Sequence, residues 1–400
     1  MEYSQLSKEL TNKISKFEKK INGIYFTPPL CVKNNINVLK KYLINAKTVL
    51  EPSCGSGEYV TVLHRLFPHL KITCIEYNKT IYNSIINLKN DKIDLHNVCF
   101  LQYKTYNNEK YDIIIGNPPY YVMKKKDVDK EYYKYFDGRP NIFILFIIHS
   151  ISLLKTDGIL SFILPKNFLT CMYYDKTRKF ISNNFKILYI IECTGEYIET
   201  EQQTINLIIQ KTDKKDNTSF VLNINNYTIF LLSELKQQIM SLYQNSSSLY
   251  ELGFQTSVGN IIWNENKNIL TDDCEKTRLV YSSDIDNNNL SIKKYNNEEK
   301  KNYIDQKGIT YPMIVINRGY GVGNYKFNFC LIDEKFEYLI ENHLICIIYK
   351  KILPHNELIE KYKKLFLSLS DSRTQQFIKL YFGNNAINTT ELNYILPFYF

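Results

Sequence analysis

Two glutamates and two glycines near the start of the chain have the spacing of a small-molecule site. Glu51 ends an apolar segment, Gly55 and Gly57 follow it, and Glu76 ends the next apolar segment. Glycines after a buried strand let the backbone approach a ligand, and an acid before them suits an amino group better than a phosphate. Glu76 would accept both hydroxyls of a ribose. The spacing predicts a nucleoside with a cationic amino-acid tail, which describes S-adenosyl-L-methionine; a mere tight turn is the alternative.

The segment "IIIGNPPY" (113–120) ends an apolar run with an amide, two prolines and a phenol. Asn117 offers an acceptor oxygen, the prolines remove backbone donors, and Tyr120 offers a flat face. An exocyclic amino group on an aromatic ring suits this set. If Asn117 and the carbonyl of Pro118 accept its two protons, its lone pair is free to attack a methyl group. The alternative is a loop in which the prolines merely end a strand.

A parallel sheet would bring these groups together, because the carboxyl ends of parallel strands meet at one edge. Over the first half, strands apolar on both faces alternate with helical stretches, which predicts an α/β domain with a doubly wound, Rossmann-like sheet and helices on both faces. An opening helix is predicted over 4–22 from its apolar spacing. Strands are expected at 48–50, 72–75, 98–101, 112–115, 158–164, 187–191 and 206–210, and helices near 57–67, 79–89, 140–155 and 172–183.

The composition, 44% hydrophobic and 23% charged, is typical of a soluble globular protein. No uncharged apolar run reaches about 18 residues, and the first ten residues carry acids, so neither a membrane span nor a signal peptide is predicted. We expect a cytoplasmic protein of bacterial or viral origin. The nine cysteines are scattered without a C-x-x-C pair, and there are six histidines. A disulfide framework is therefore not expected, and neither is a metal.

The net charge of +9 is unevenly distributed along the chain. Residues 1–214 hold 30 Lys and Arg against 21 Asp and Glu, so the remainder is neutral. A basic face suits a polyanion such as nucleic acid. A lysine-rich surface from an AT-rich genome explains the same counts, and both interpretations remain open on charge alone.

The apolar pattern lapses at "KTDKKDNT" (211–218), where we place the domain boundary. Residues 1–213 would form the α/β domain. Residues 214–400 have isolated strand runs, an asparagine-rich stretch and helical periodicity at 356–382. They are expected to form a smaller α+β domain.

The order and residues of four segments resemble the gamma-class N6-adenine DNA methyltransferases, the TaqI-like family of type II restriction-modification systems. The resemblance covers residues 20–210 and includes a strand and turn at 158–169. The four segments are "GIYFTPP" (23–29), "VLEPSCGSGEYV" (49–60), "IEYN" (75–78) and "IIIGNPPY" (113–120).

The resemblance assigns a cofactor role to several residues. Thr27 and Glu51 would hold the methionine part of S-adenosyl-L-methionine, Glu76 the ribose, and Phe100 would pack on the cofactor's adenine. Many relatives carry an acid where this chain has Cys99. The loop around the cofactor would consist of Ser53, Gly55 and Gly57, with Asn117 alongside.

The resemblance also assigns the substrate site. Asn117, Pro118 and Tyr120 would bind an adenine flipped out of duplex DNA, with Tyr120 stacked on the base. Tyr197 would be the second aromatic wall, although a one-residue shift would put Ile198 there. Transfer would be direct, so no cysteine nucleophile is needed.

The expected DNA contacts lie in both halves. Lys124, Lys125 and Lys126 would meet phosphates, or would be a solvated cluster on a loop. By the resemblance, residues 214–400 form the target-recognition domain. Within it Arg318 and Lys326 would reach a groove, whereas the glycines between them favour a hairpin turn. The expected partners are double-stranded DNA and a cognate restriction endonuclease acting separately on it, and the expected state is a monomer.

Three alternatives remain. Protein glutamine N5-methyltransferases also use N-P-P-Y after a glycine loop, but their additional domain precedes the cofactor motifs. RNA adenine N6-methylation would require no base flipping. A non-catalytic DNA-binding protein would not bind the cofactor.

Overall fold

The computed structural model describes residues 2–105, 109–318, 327–382 and 386–400. The chain divides into two compact units, the first formed by residues 1–223 and 227–233 and the second by residues 224–226 and 234–400. Within the described residues, no helix combines the length and the apolar character needed to cross a membrane.

The first unit is built around a seven-stranded mixed sheet, which confirms the predicted α/β, Rossmann-like fold. The strand order is β3-β2-β1-β4-β5-β7-β6. Neighbours from β3 to β5 are parallel, whereas β7 is antiparallel to both β5 and β6. The strands are β1 (Thr48–Glu51), β2 (Lys71–Ile75), β3 (Ile93–His96), β4 (Tyr111–Gly116), β5 (Leu154–Pro165), β6 (Lys186–Glu192) and β7 (Thr204–Gln210).

Alternate residues of a strand point to opposite faces of the sheet. Because both sets are apolar here, helices bury both faces. Ile113 and Ile115 of β4 belong to one core cluster with Leu39 and Leu63 from two helices, while Ile114 between them is buried as well. The helices are α1 (Gln5–Lys13), α2 (Lys16–Asn22), α3 (Pro29–Leu43), α4 (Glu58–Leu66), α5 (Lys79–Ile85), α6 (Ile142–Leu153) and α7 (Asp175–Asn184).

Two of the predicted elements are wrong. The strand expected at 98–101 is instead β3 at Ile93–His96, followed by a 3-10 turn over Phe100–Gln102. The helix expected over 4–22 is two helices, because Ser15 begins α2 by accepting a hydrogen bond from the backbone of Glu18 over 3.1 Å.

A hairpin follows the sheet, formed by β8 (Val221–Ile224) and β9 (Tyr227–Phe230). The buried Arg178 of α7 donates to the carbonyl of Thr228 over 2.6 Å, and Asp175 accepts from the backbone N–H of Thr228 over 2.7 Å. These bonds attach β9 to α7. Apart from residues 224–226, the hairpin belongs to the first compact unit, and the second unit continues from residue 234.

The second unit contains two four-stranded sheets, in the orders β10-β19-β16-β17 and β11-β15-β12-β18, and a short hairpin β13-β14. Val280 and Tyr338 of one sheet share a core cluster with Val315 and Cys346 of the other. The strands are β10 (Phe254–Val258), β11 (Leu270–Thr271), β12 (Thr277–Val280), β13 (Ile285–Asp286), β14 (Asn289–Leu290), β15 (Tyr303–Ile304), β16 (Met313–Asn317), β17 (Phe329–Ile332), β18 (Tyr338–Ile340) and β19 (Leu344–Tyr349).

Four helices accompany these sheets: α8 (Ser233–Leu242), α9 (His355–Ser370), α10 (Ser372–Tyr381) and α11 (Thr389–Tyr394). The periodicity at 356–382 thus corresponds to two helices. Asn388 begins α11 by accepting from the backbone of Glu391, whose side chain accepts in return from the Asn388 N–H. The α+β character predicted for this half is confirmed.

Candidate active site

The glycine loop and Glu76 form one hydrogen-bonded unit at the carboxyl ends of β1 and β2. The backbone N–H of Gly55 donates to Oε2 of Glu76 over 3.0 Å, and the N–H of Asn78 donates to Oε1 over 2.7 Å. Gly55 and Gly57 have φ values of +52° and +80°, a region that favours glycine. Burial raises the pKa of Glu76 to about 7, and the two backbone donors oppose this shift.

Glu51 is a buried acid with an unused acceptor. Its exposed fraction is 2%, and Oε2 has no hydrogen-bond partner among the described residues. Burial, with smaller contributions from Cys74 and Glu76, raises its pKa well above the ordinary value of a glutamate. A buried carboxylate oxygen that no donor satisfies is costly, so this position favours a ligand that brings a cationic donor.

A cavity of about 600 Å³ opens over this loop. This volume is in the range of cofactor sites. Phe100 is 2% exposed and packs on Phe146, with ring centroids 4.8 Å apart. Cys99 lies on the wall beside it. Of the residues expected to bind the cofactor, five line the cavity: Ser53, Gly55, Glu76, Phe100 and Asn117.

The other expected cofactor residues lie next to the cavity without lining it. Thr27 is 8% exposed and precedes α3, and Glu51 lies below the loop. Gly57 begins α4, and a Cβ there would be 2.5 Å from Leu88 Cδ1. Its role in the structure is to form the turn.

Asn117 and Tyr120 contact each other directly after β4. The Tyr120 hydroxyl lies 2.5 Å from Oδ1 of Asn117 and 2.8 Å from the carbonyl of Ile163. Nδ2 of Asn117 donates to the backbone carbonyl of Tyr25 over 3.4 Å. The backbone carbonyl of Asn117 accepts a hydrogen bond from the Ser53 hydroxyl over 3.1 Å. Burial raises the pKa of Tyr120 well above the ordinary value, so its hydroxyl is a donor. Pro118 between them is buried.

A second cavity, of about 140 Å³, is lined by both Tyr120 and Tyr197. Ile198, the alternative to Tyr197, lines a different small cavity and is 48% exposed. The sequence did not indicate the other residues of this cavity, except that Tyr25 belongs to the "GIYFTPP" segment. These other residues are Tyr25, Thr200, Gln202 and Thr204.

Lys124, Lys125 and Lys126 do not line either of the two cavities. Lys124, Lys125 and Lys126 are exposed, and the Lys125 ammonium lies 4.7 Å from the ring centroid of Tyr133. Arg318 follows β16 in the second unit and donates from Nη1 to the carbonyl of Asn342 over 3.4 Å. Lys326 lies outside the described residues.

Residues 9–198 match the protein family described as Eco57I restriction-modification methylase. The matched segment, which is slightly less than half of the chain, includes Glu51, Glu76, Asn117, Tyr120 and Tyr197.

Several curated proteins are similar to the chain. Modification methylase CviBIII of Paramecium bursaria Chlorella virus NC1A is 28% identical over 216 residues, 53% of this chain and 55% of that protein. Type II methyltransferase M.CvrRI of Paramecium bursaria Chlorella virus XZ-6E is 24% identical over 416 residues, 96% of each protein. Type II methyltransferase M.HincII of Haemophilus influenzae is 34% identical over 175 residues, 42% of this chain and 32% of that protein. The chain thus spans about half the length of CviBIII and nearly all of M.CvrRI.

Two solved structures are also similar. A class I S-adenosylmethionine-dependent methyltransferase from Listeria monocytogenes aligns with 53% of this chain and 67% of its own, at 19% identity and a TM-score of 0.45. The type IIG restriction endonuclease BpuSI aligns with 98% of this chain and 60% of its own, at 10% identity and a TM-score of 0.46. The fold assignment of the first unit rests on its own strand order.

The methylase family that residues 9–198 match implies S-adenosyl-L-methionine as the methyl donor. The residues present fit this cofactor. The unused Oε2 of Glu51 suits its amino group, and Glu76 suits the ribose hydroxyls. The buried ring of Phe100 offers an apolar surface to the adenine.

Proposed function

We propose that the protein is a site-specific DNA methyltransferase that transfers a methyl group from S-adenosyl-L-methionine to the N6 amino group of adenine. The observation that carries the proposal is the bond between Asn117, which lines the larger cavity, and Tyr120, which lines the smaller one. The methyl donor in one cavity and an amino-bearing ring in the other would meet at Asn117.

Asn117 is the residue that prepares the amino group. Its Oδ1 has two lone pairs, so it can accept from the substrate while it also accepts from Tyr120. With the Pro118 carbonyl as second acceptor, the lone pair of the amino nitrogen is directed at the methyl group. The cofactor supplies that methyl group on a sulfonium. Catalysis then comes from positioning and from exclusion of water, because no covalent enzyme intermediate is needed.

The smaller cavity would hold the adenine ring between Tyr120 and Tyr197. A base inside a duplex cannot reach a pocket of this kind, so the adenine must be flipped out of the helix. Aromatic stacking on both faces would offset part of the energy lost when the base leaves its stack.

The second unit would read the target sequence, with Arg318 among its contacts, and the exposed lysines at 124–126 would bind phosphates. The proposed partners are double-stranded DNA and a separate cognate restriction endonuclease that cuts the same sequence, with the methyltransferase acting as a monomer. Relatives named as type II methyltransferases support DNA as the substrate.

The proposal is tested by incubating the purified protein with methyl-labelled S-adenosyl-L-methionine and, in parallel, plasmid DNA, RNA or a release-factor protein. Label is expected in DNA. Label found only in RNA would indicate an RNA adenine methyltransferase, and label found only in protein would indicate a glutamine methyltransferase. Either of these results would overturn the assignment to DNA.

A further inference from the structure

Helix α2 carries a partly buried ion pair to the loop that bears Tyr197. The ammonium of Lys19 donates to Oε1 of Glu199 over 2.6 Å and to the carbonyl of Thr11 over 2.7 Å. The side chains of Lys19 and Glu199 are 5% and 23% exposed. Removing Glu199 would leave the buried ammonium of Lys19 without its charged partner, which is unfavourable. Glu199 is therefore fixed to α2, two residues after Tyr197.

The C-terminal end of α2 packs against Tyr120, which also lines the smaller cavity. Gly23 ends the helix with φ +63°, and a Cβ there would lie 2.5 Å from the backbone nitrogen of Tyr120. Both the backbone conformation and the distance require glycine. The helix end thus rests directly on the backbone of Tyr120.

Tyr25, shortly after the end of α2, contacts Asn117. The carbonyl of Tyr25 accepts from Nδ2 of Asn117 over 3.4 Å, and Tyr25 lines the smaller cavity itself. One continuous segment, Lys19–Tyr25, therefore contacts Tyr120, Asn117 and the loop of Tyr197. We call it the spacer segment.

The loop of Tyr197 depends on such contacts because it lies between β6 and β7 without regular structure of its own. Two further hydrogen bonds hold this loop. The hydroxyl of Tyr3 donates to the backbone carbonyl of Glu196 over 2.9 Å, and the side-chain amide of Asn34 donates to the hydroxyl of Thr194 over 2.9 Å. Of these three contacts, the one between Lys19 and Glu199 is an ion pair, and it lies two residues from Tyr197.

We propose that the spacer segment sets the separation of Tyr120 and Tyr197, so that it determines the width of the slot that receives the target base. Lys19 is a positioning residue in this role, since it acts on Tyr197 through Glu199. The inference rests on the proposed function. The slot must fit one planar ring closely, because stacking weakens when a wall moves away from the ring.

The test uses the full chain with Lys19→Met, which removes the charge and keeps the length of the side chain. The matched control is Lys20→Met on the same helix, because Lys20 is exposed. Three quantities are measured: cofactor affinity by calorimetry, kcat and KM on target DNA, and the fluorescence of 2-aminopurine placed at the target adenine. Fluorescence rises when this base leaves the stack and reports flipping directly.

Lys19→Met is expected to lower kcat by about tenfold or more and to change the 2-aminopurine signal, with cofactor affinity within about twofold of wild type. Because Lys19 does not line the cofactor cavity, kcat should change while cofactor affinity does not. Lys20→Met should match wild type in all three. Glu199→Gln, which retains a neutral acceptor for Lys19, should lie between the two and serves as the readout if Lys19→Met does not fold.

Wild-type kcat and an unchanged 2-aminopurine signal in both Lys19→Met and Glu199→Gln would overturn the positioning role. A parallel loss of cofactor affinity, kcat and thermal stability in Glu199→Gln would also overturn it, since that pattern indicates general destabilisation. Wild-type protein is assayed first. If it leaves DNA unmethylated, the proposed function itself fails, which is distinguishable from a failure of the spacer segment alone.

Discussion

The hydroxyl of Tyr120 donates a hydrogen bond to Oδ1 of Asn117 over 2.5 Å, and this bond joins the two cavities of the first unit. The opposite end of the same amide donates to the carbonyl of Tyr25. Asn117 is thus oriented from both ends before any substrate arrives. One lone pair of Oδ1 remains for the substrate amino group.

Two substitutions at Tyr120 separate its hydroxyl from its ring. Tyr120→Phe removes the bond that orients Asn117, and a net loss of about 1 kcal/mol corresponds to a kcat reduced by about five- to tenfold. Tyr120→Ala removes the stacking surface as well, and a loss of about 100-fold or more is expected. Steady-state methylation of target DNA measures both. Equal losses in the two variants would contradict the stacking role of the ring.

Asn117→Ala removes the acceptor for the amino group. We expect kcat to fall by about 100-fold or more, as for other groups that stabilise only the transition state. Cofactor affinity by calorimetry should stay within about threefold, because Glu51 and Glu76 are untouched. Full residual activity in this variant would rule out Asn117 as the acceptor.

Glu51→Gln should stabilise the protein without cofactor and weaken cofactor binding. The buried carboxyl has a pKa raised by burial, so it costs stability at every pH above about 4.5, the range in which the unfolded chain ionises it. Differential scanning fluorimetry at pH 8 should show an increase of about 2 °C or more in Tm, and the increase should shrink towards pH 5.

Asp112→Asn is the control for this measurement, because its Tm should change in the opposite direction. Its carboxylate accepts from the backbone of Lys47 and Thr48 over 2.9 Å each and from Lys155 over 2.8 Å, so its loss should lower Tm. A lower Tm in Glu51→Gln as well would show that Glu51 has a partner in solution.

Cofactor affinity should depend on pH through Glu76. Its pKa of about 7 means that lowering the pH protonates the carboxyl, which then cannot accept from both ribose hydroxyls. Between pH 8 and pH 6 the ionised fraction falls about tenfold, and the affinity measured by calorimetry should fall with it. Glu51, Glu58 and Cys74 lie close by, and Glu51 titrates in the same direction. Glu76→Gln should bind weakly with a flatter pH profile; an unaltered profile would contradict the role of Glu76.

The lysine cluster gives a prediction on salt dependence. Replacing Lys124, Lys125 and Lys126 with alanine removes three exposed charges. If each meets a phosphate, the slope of log K against log salt should flatten by about 0.9 per contact, and affinity should fall equally for target and non-target duplexes. Fluorescence anisotropy at several salt concentrations measures this slope. An unchanged slope would indicate a solvated cluster.

The sheet could be predicted because its strands are short, apolar and regularly spaced, and six of the seven occupy the expected segments. The exception is instructive. Val98 to Leu101 is more apolar than Ile93 to His96, yet the latter segment pairs with β2. Phe100 is buried by packing on Phe146 and His149 instead of by a neighbouring strand. Apolarity alone did not distinguish a buried turn from a buried strand.

The candidate site could be predicted only where its residues are close in sequence or follow a strand. Asn117 and Tyr120 met that condition, and so did Gly55. The contact of Lys19 with Glu199 joins residues 180 positions apart and leaves no local pattern. The same holds for Gln202 and Thr204, which enter the smaller cavity only through the path of an irregular loop.

The identity of the methylated base tests the central claim most directly. Target-bearing plasmid DNA treated with the protein and S-adenosyl-L-methionine is digested to nucleosides, which mass spectrometry identifies, while single-molecule sequencing locates the modified positions. N6-methyladenine at one recurrent sequence is the predicted result, absent from Asn117→Ala. Methylated cytosine without N6-methyladenine, or methyl groups in RNA or protein alone, would contradict the account.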